Sequence, residues 1–275
     1  MTQKVILDCD PGHDDAMAIL LAAKRLDVLG ITTVAGNQSI DKVTTNALKV
    51  VELAGLTRIP VAQGAAHPLV RAPRHAPEIH GQTGLDGPDL PVPATKPVNM
   101  HAVDFIIVTV MRTDGVTLVP TGPLTNIALA LRKEPRIAGR IPEICLMGGS
   151  RTHGNVTAAA EFNIYFDPEA AHAVFTSGIP IKMVGLNVTE QVIATPPRRQ
   201  QNRHGVVVAG IAIENHLLCH ITPPVVCGRS MPSRWAARKA AISWRVGMAV
   251  PVPSLDTATA PATAASVAAV CRGNL

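Results

Sequence analysis

VILDCDPGHDD, residues 5–15, sets four carboxylates at the end of a short apolar run. Val5, Ile6 and Leu7 predict a buried strand, with Asp8, Asp10, Asp14 and Asp15 crowding its C-terminal end. Pro11-Gly12 turns the chain, and the apolar run 16–23 predicts a helix that starts near Asp14. The acids therefore fall at a strand-to-helix switch, outside the carboxyl end of a sheet, where open α/β folds place their ligands. Like charges this close repel, so a cleft that gathers them needs a counter-charge, and a metal ion supplies one. Oxygen donors without a thiolate pair favour a hard cation, Ca²⁺ or Mg²⁺, over structural zinc. The helix dipole alone would account for Asp14 or Asp15 but not for Asp8 and Asp10 on the strand side. Cys9 points by strand alternation to the opposite face and reads as a small buried hydrophobe.

The same grammar repeats along the chain. Val28–Val34 predicts a second strand ending in Ala35-Gly36-Asn37, where the Asn37 amide offers both a donor and an acceptor. A turn-forming Asn after Gly is the plainer reading of that position. A helix over 41–54 and a third strand over 59–62 follow. Residues 63–98 are rich in Gly, Pro and His, and HGQTGLDG at 80–87 has the glycine content of a binding loop, where His80 reads equally as a ligand contact and as a surface histidine. Further on come a helix over 101–111, a strand over 116–120 and the polar switch Thr121–Asn126. A helix over 127–132, a strand over 141–147, a helix over 168–177 and a strand over 181–184 complete the series. Between the last two strands, Glu161 and Asn163 share one face if the segment is extended, and Asn155 joins them as a hydroxyl binder. Strands alternating with helices imply a doubly wound, mostly parallel α/β sheet of Rossmann-like type. No Gly-x-Gly-x-x-Gly, phosphate loop or Gly-x-Ser-x-Gly occurs at these switches, which argues against a dinucleotide cofactor, a nucleoside triphosphate and serine hydrolysis.

Composition narrows the partners. One Tyr and four Phe leave few stacking platforms for nucleic-acid bases. The absence of an eighteen-residue apolar run predicts no membrane span, and five scattered cysteines without a CxxC fit a reducing, cytoplasmic compartment. The net charge of +5 is uneven: residues 1–197 carry 16 Lys/Arg against 18 Asp/Glu, whereas residues 198–275 carry 9 against 2. The basic excess belongs to the Pro/Ala-rich tail, so the body shows no nucleic-acid footprint.

Together, DCDPGHDDAMAI at 8–19, AGNQ at 35–38, HGQTGLDGP at 80–88, PTGPLTN at 120–126, MGG at 147–149 and AAEFNIYFDPEAA at 159–171 resemble the inosine-uridine-preferring nucleoside hydrolase family. The resemblance covers residues 1 to about 197. It implies the nucleoside hydrolase fold and hydrolysis of the N-glycosidic bond of ribonucleosides such as uridine, cytidine and inosine, with Ca²⁺ in the pocket. By motif it implies Asp10, Asp15 and the Thr121 carbonyl as calcium ligands, with Asp10 also the general base. Asp14, Asn37, His80, Met147, Asn155, Glu161, Phe162 and Asn163 would contact substrate. A homodimer or homotetramer is the implied assembly. Family members also supply an adjacent His-Asp pair from their C-terminal third, and nothing after residue 197 matches it: the only acids there are Glu214 and Asp256. His216, Cys219, His220 and Cys227 are too irregularly spaced for zinc. The change near Arg198 reads either as a shifted reading frame or as divergence within a real domain. Two other functional classes compete: a Mg²⁺-dependent phosphatase using Asp8 and Asp10, and a catalytically impaired nucleoside- or ribose-binding remnant.

Overall fold

The computed structural model describes residues 2–87 and 89–191. The tail expectations, from Arg198 through Asp256, lie outside the described residues. Among the described residues, six strands form one sheet: β1 (Lys4–Cys9), β2 (Asp27–Thr33), β3 (Val61–Gln63), β4 (Val116–Pro120), β5 (Ile144–Met147) and β6 (Ile181–Val184). Their order across the sheet is β3-β2-β1-β4-β5-β6, and every pairing is parallel. The order reverses between β1 and β4, so a crevice opens beyond their carboxyl ends. β1 delivers Asp8 and Asp10 to that point and β4 delivers Thr121.

Each long strand feeds a helix. α1 (His13–Arg25) follows β1, α2 (Ile40–Leu53) follows β2, and α4 (Ala102–Arg112) precedes β4, after the single-turn α3 (Pro77–His80). α5 (Thr125–Lys133) and a 3₁₀ turn (Pro135–Arg140) lead to β5. α6 (Phe162–Phe166) and α7 (Pro168–Phe175) lead to β6, and α8 (Leu186–Thr189) follows it. Acids in the first turn of α1 and Lys24 and Arg25 in its last turn complement the helix dipole.

β1 shows how the core is divided. Val5, Leu7 and Cys9 pack with Ile19 and Ala22 of α1 and with Ala47, Leu48 and Val51 of α2. Ile6, one residue out of phase, packs on the other face with Leu118, Ile127, Ile144 and Val174. Burying each such Ile or Leu contributes about 1.5–3 kcal/mol, so truncating Ile6 would weaken both the sheet and the helices behind it.

Most elements fall within a few residues of their sequence expectation; α3 and α8 have no counterpart in it, one segment differs in kind and one strand starts late. The segment at 161–166 is not extended: Glu161 caps α6 by accepting the N–H groups of Asn163 and Ile164. This local carboxylate-to-backbone bonding outweighs the alternating apolar pattern of Phe162, Ile164 and Phe166. The strand expected from Ile141 begins only at Ile144, because the preceding 3₁₀ turn closes on Ile141 and Pro142 has no N–H for a ladder.

Candidate active site

Asp10 is the centre of the cluster. It is almost fully buried, and its carboxylate is enclosed by two glycines whose hypothetical Cβ atoms would lie 2.1 Å (Gly36) and 2.7 Å (Gly122) from its oxygens. Any side chain at either position would collide with it, which is why glycine stands at both strand ends. Asn37 fixes the same residue from two sides, its N–H donating to Asp10 Oδ2 (2.7 Å) and its Nδ2 to the Asp10 carbonyl (3.0 Å). Burial, and then the neighbouring Asp15 charge, push Asp10 well above the usual carboxylate range.

Asp15 lies beside it on the first turn of α1. Gly12 N–H donates to its Oδ2 (3.1 Å) and Thr121 Oγ1 to its Oδ1 (2.5 Å), which joins the β1 and β4 ends. Burial, reinforced by the Asp14 charge, raises Asp15 to about 7. Asp14 Oδ1 is buried with no hydrogen-bond partner. Such an acceptor, like Asp8 Oδ2, is open to a further donor or a cation.

Asp8 has a different environment. Its side chain is fully buried, and Oδ1 accepts from Thr32 Oγ1 (2.6 Å) and Asn126 Nδ2 (2.8 Å), while Oδ2 has no partner. Burial outweighs both hydrogen bonds and raises its pKa to about 7. A carboxylate enclosed in this way props the end of β1 and is not presented as a phosphoryl nucleophile. Asn126, given no role beyond its motif, also donates to the Thr33 carbonyl (2.9 Å) and accepts from Ala65 N–H (2.9 Å). Its one sequence signal is an Asn at the start of an otherwise apolar helix.

Across the crevice, Asn163 Nδ2 donates to the Thr121 carbonyl (2.8 Å) and the Met147 carbonyl (3.1 Å), which gathers three expected site residues. Glu161 is buried, and the N–H groups of Gly149 and Asn163 both reach its Oε2 at 2.9 Å. Burial raises its pKa against those hydrogen bonds. Phe162 is half-buried beside Phe166 (ring centroids 6.1 Å apart). His80 stands over the turn after β1: a Cβ on Gly12 would lie 2.6 Å from its Nδ1 and 3.1 Å from Asn37 Nδ2. Its Nδ1 also meets His13 Nδ1 at 3.4 Å, and burial depresses its pKa. Asn155 is the exception: it is exposed, on a turn held by its N–H to the Ala160 carbonyl (3.1 Å).

The donor set fits a hard cation in kind: buried carboxylates that repel one another, an unpartnered Asp14 oxygen and a backbone carbonyl at Thr121. It does not form a complete shell. Among the described residues, no three His, Cys, Asp or Glu side chains are grouped to hold a metal by themselves.

Comparison with known proteins gives the family. Residues 5–234 match the family model described as inosine-uridine preferring nucleoside hydrolase. The chain is 53% identical over 197 residues to the pyrimidine-specific ribonucleoside hydrolase RihB of Escherichia coli O1:K1 / APEC, a match covering 70% of this chain and 63% of that protein. Thus the match spans less than two thirds of that relative's length. Among solved structures, it is similar to the purine-preferring ribonucleoside hydrolase from Gardnerella vaginalis (TM-score 0.68, 40% identity, 70% of this chain and 64% of that one). It is also similar to the plant nucleoside hydrolase PpNRh1 (TM-score 0.67, 37% identity, 79% of this chain and 71% of that one). Carboxylates gathered at the sheet's switch point, in a chain with these relatives, mark a member of the inosine-uridine preferring nucleoside hydrolase family.

Proposed function

We propose that this chain hydrolyses the N-glycosidic bond of ribonucleosides to ribose and free base, with Ca²⁺ held by Asp10, Asp15 and the Thr121 carbonyl. The observation that supports this most is the pair of buried acids, Asp10 and Asp15, brought together at the sheet's switch point, where burial and their like charges oppose ionisation unless a cation offsets them. A hard cation bound there supplies the positive charge that lets the acids ionise together and that acidifies a water.

Asp10 is the general base in this reading. As a buried carboxylate among the cation's proposed ligands, it would take a proton from the attacking water. Departure of the base develops positive charge at the anomeric carbon, and the surrounding carboxylates stabilise it. Asp14 accepts from ribose hydroxyls through its free oxygen. The Asn37 amide nitrogen is already engaged with Asp10, so its carbonyl end is the part offered to the sugar. Glu161 and Asn163, fixed by the cap of α6, hold the far side of the ribose, with Met147 and Phe162 as apolar walls. His80 lies where it reaches the ligand from above the Gly12 turn. Asn155, on an exposed turn, joins the ribose contacts only if that turn folds inward.

Uridine, cytidine and inosine are the proposed substrates. The RihB relative is named pyrimidine-specific and the Gardnerella structure purine-preferring, so uridine and inosine are the discriminating pair. We propose a cytoplasmic homodimer or homotetramer; among the described residues no helix is long and apolar enough to cross a membrane. Ribose release from each nucleoside, with and without calcium chelation, tests the activity.

A further inference from the structure

The loop 80–87 is attached to α2 and to the residue just before its Ser39 cap by three side chains, those of Gln38, Lys42 and Asn46. Gln38 Nε2 donates to the Gly81 carbonyl (2.8 Å), Lys42 Nζ to the Gln82 carbonyl (2.5 Å) and Asn46 Nδ2 to the Thr83 carbonyl (2.9 Å). Lys42 and Asn46 share one face of α2, and Gln38 precedes the Ser39 cap, so consecutive loop carbonyls meet donors at the start of α2 and along its first turns. Lys42 Nζ also donates to Gln38 Oε1 (3.2 Å), which links two of the rungs.

Two features show that these donors serve the site as well as the loop. Asn46 Nδ2 donates simultaneously to the Pro11 carbonyl (3.1 Å), so one buried carboxamide ties the loop to the turn that carries the acids. The loop is also braced internally. Asp86 accepts the N–H groups of Gln82 and Thr83 at 2.9 Å, and its carbonyl meets His13 Nε2 (2.9 Å). A preformed loop attached at three carbonyls moves as a unit, and His80 at its base moves with it.

We propose that Gln38, Lys42 and Asn46 are positioning residues, a three-rung clamp that fixes loop 80–87 over the carboxylate turn and thereby sets the place of His80. The clamp is independent of catalysis, while its kinetic consequence rests on the hydrolase reading above. Lys42 is exposed, so Lys42→Met removes one rung without disturbing the core.

The test is hydrogen–deuterium exchange of residues 80–87 in the full, substrate-free chain, beside uridine kinetics. Lys42→Met is expected to speed exchange in that loop by about ten-fold, the size of one lost charged hydrogen bond, and Lys42→Arg to retain the wild-type rate. Asn46→Asp, which keeps the shape but loses both donors, is expected to do the same. KM for uridine should rise about five-fold in Lys42→Met with kcat nearly unchanged, because the clamp orders the binding loop and does not touch the reacting atoms. Loop exchange equal to wild type in both Lys42→Met and Asn46→Asp overturns the clamp. Faster exchange with an unmoved KM overturns the positioning role. Absence of turnover by the unaltered chain counts against the hydrolase reading, and the exchange comparison still decides the clamp.

Discussion

Asn37 holds Asp10 at two points, backbone N–H to carboxylate and side-chain amide to carbonyl, at 2.7 and 3.0 Å. Asn37→Ala removes the second bond and keeps the first. We expect a stability loss of about 1 kcal/mol by denaturant unfolding and a several-fold weaker calcium affinity by calorimetry. Asn37→Asp should be worse in calcium-free buffer, since it exchanges a donor for another acid beside a residue whose ionisation burial already opposes. An affinity in Asn37→Ala equal to wild type would separate this pair from the metal site.

Asp8 gives a paired prediction. Its Oδ1 has two donors, Thr32 and Asn126, and its Oδ2 has none. Asn in its place keeps one acceptor and removes a buried charge, so Asp8→Asn should be neutral or slightly stabilising at pH 7.5. Asp8→Ala leaves both donors unmet and a cavity, at a cost of about 2–4 kcal/mol. Urea unfolding of the two variants measures the contrast. A large loss in Asp8→Asn would show that the ionised form is the structural one.

The pH dependence of the calcium-free chain follows from the same burial. Asp8 and Asp15 rise from 3.8 to about 7 on folding, and Asp10 is also raised, by burial and then the Asp15 charge. The folded state therefore binds more protons than the unfolded state between those values, and stability falls as pH climbs through the window. His80, depressed from 6.5, acts in the opposite direction, but it is one group against four, since burial raises Glu161 as well. The chelated protein should have a lower thermal midpoint at pH 7.5 than at pH 5.5. Calcium should restore more at pH 7.5, where the acids it neutralises are ionised. A chelated midpoint that rises over this range would contradict the assignment.

Much of the sheet was readable because its signals are local. Apolar runs ending in Asp, Asn or Thr marked β1, β2 and β4 and placed their last residues at one edge, and motif resemblance then fixed the family. What could not be read is non-local or competes with the pattern. The helix at 162–166 hid behind alternating apolar residues, because nothing in the string shows Glu161 folding back onto the backbone that follows it. Asn126 and Asn46 are ordinary polar residues in sequence. Their importance comes from carbonyls and carboxylates 37 to 118 positions away, at Thr83 and Asp8. Asn155 was grouped with Glu161 and Asn163 by proximity in sequence, yet the turn closed by Ala160 leaves it exposed.

The most direct test of the account is ribose release by the full chain from uridine, and from inosine beside it, in calcium buffer and after chelation, with Asp10→Asn as control. The account predicts calcium-dependent release that chelation abolishes and that Asp10→Asn lowers by at least 10²-fold, the usual scale for loss of a general base. No release at stoichiometric enzyme, in a protein shown by calorimetry to bind calcium, would contradict it.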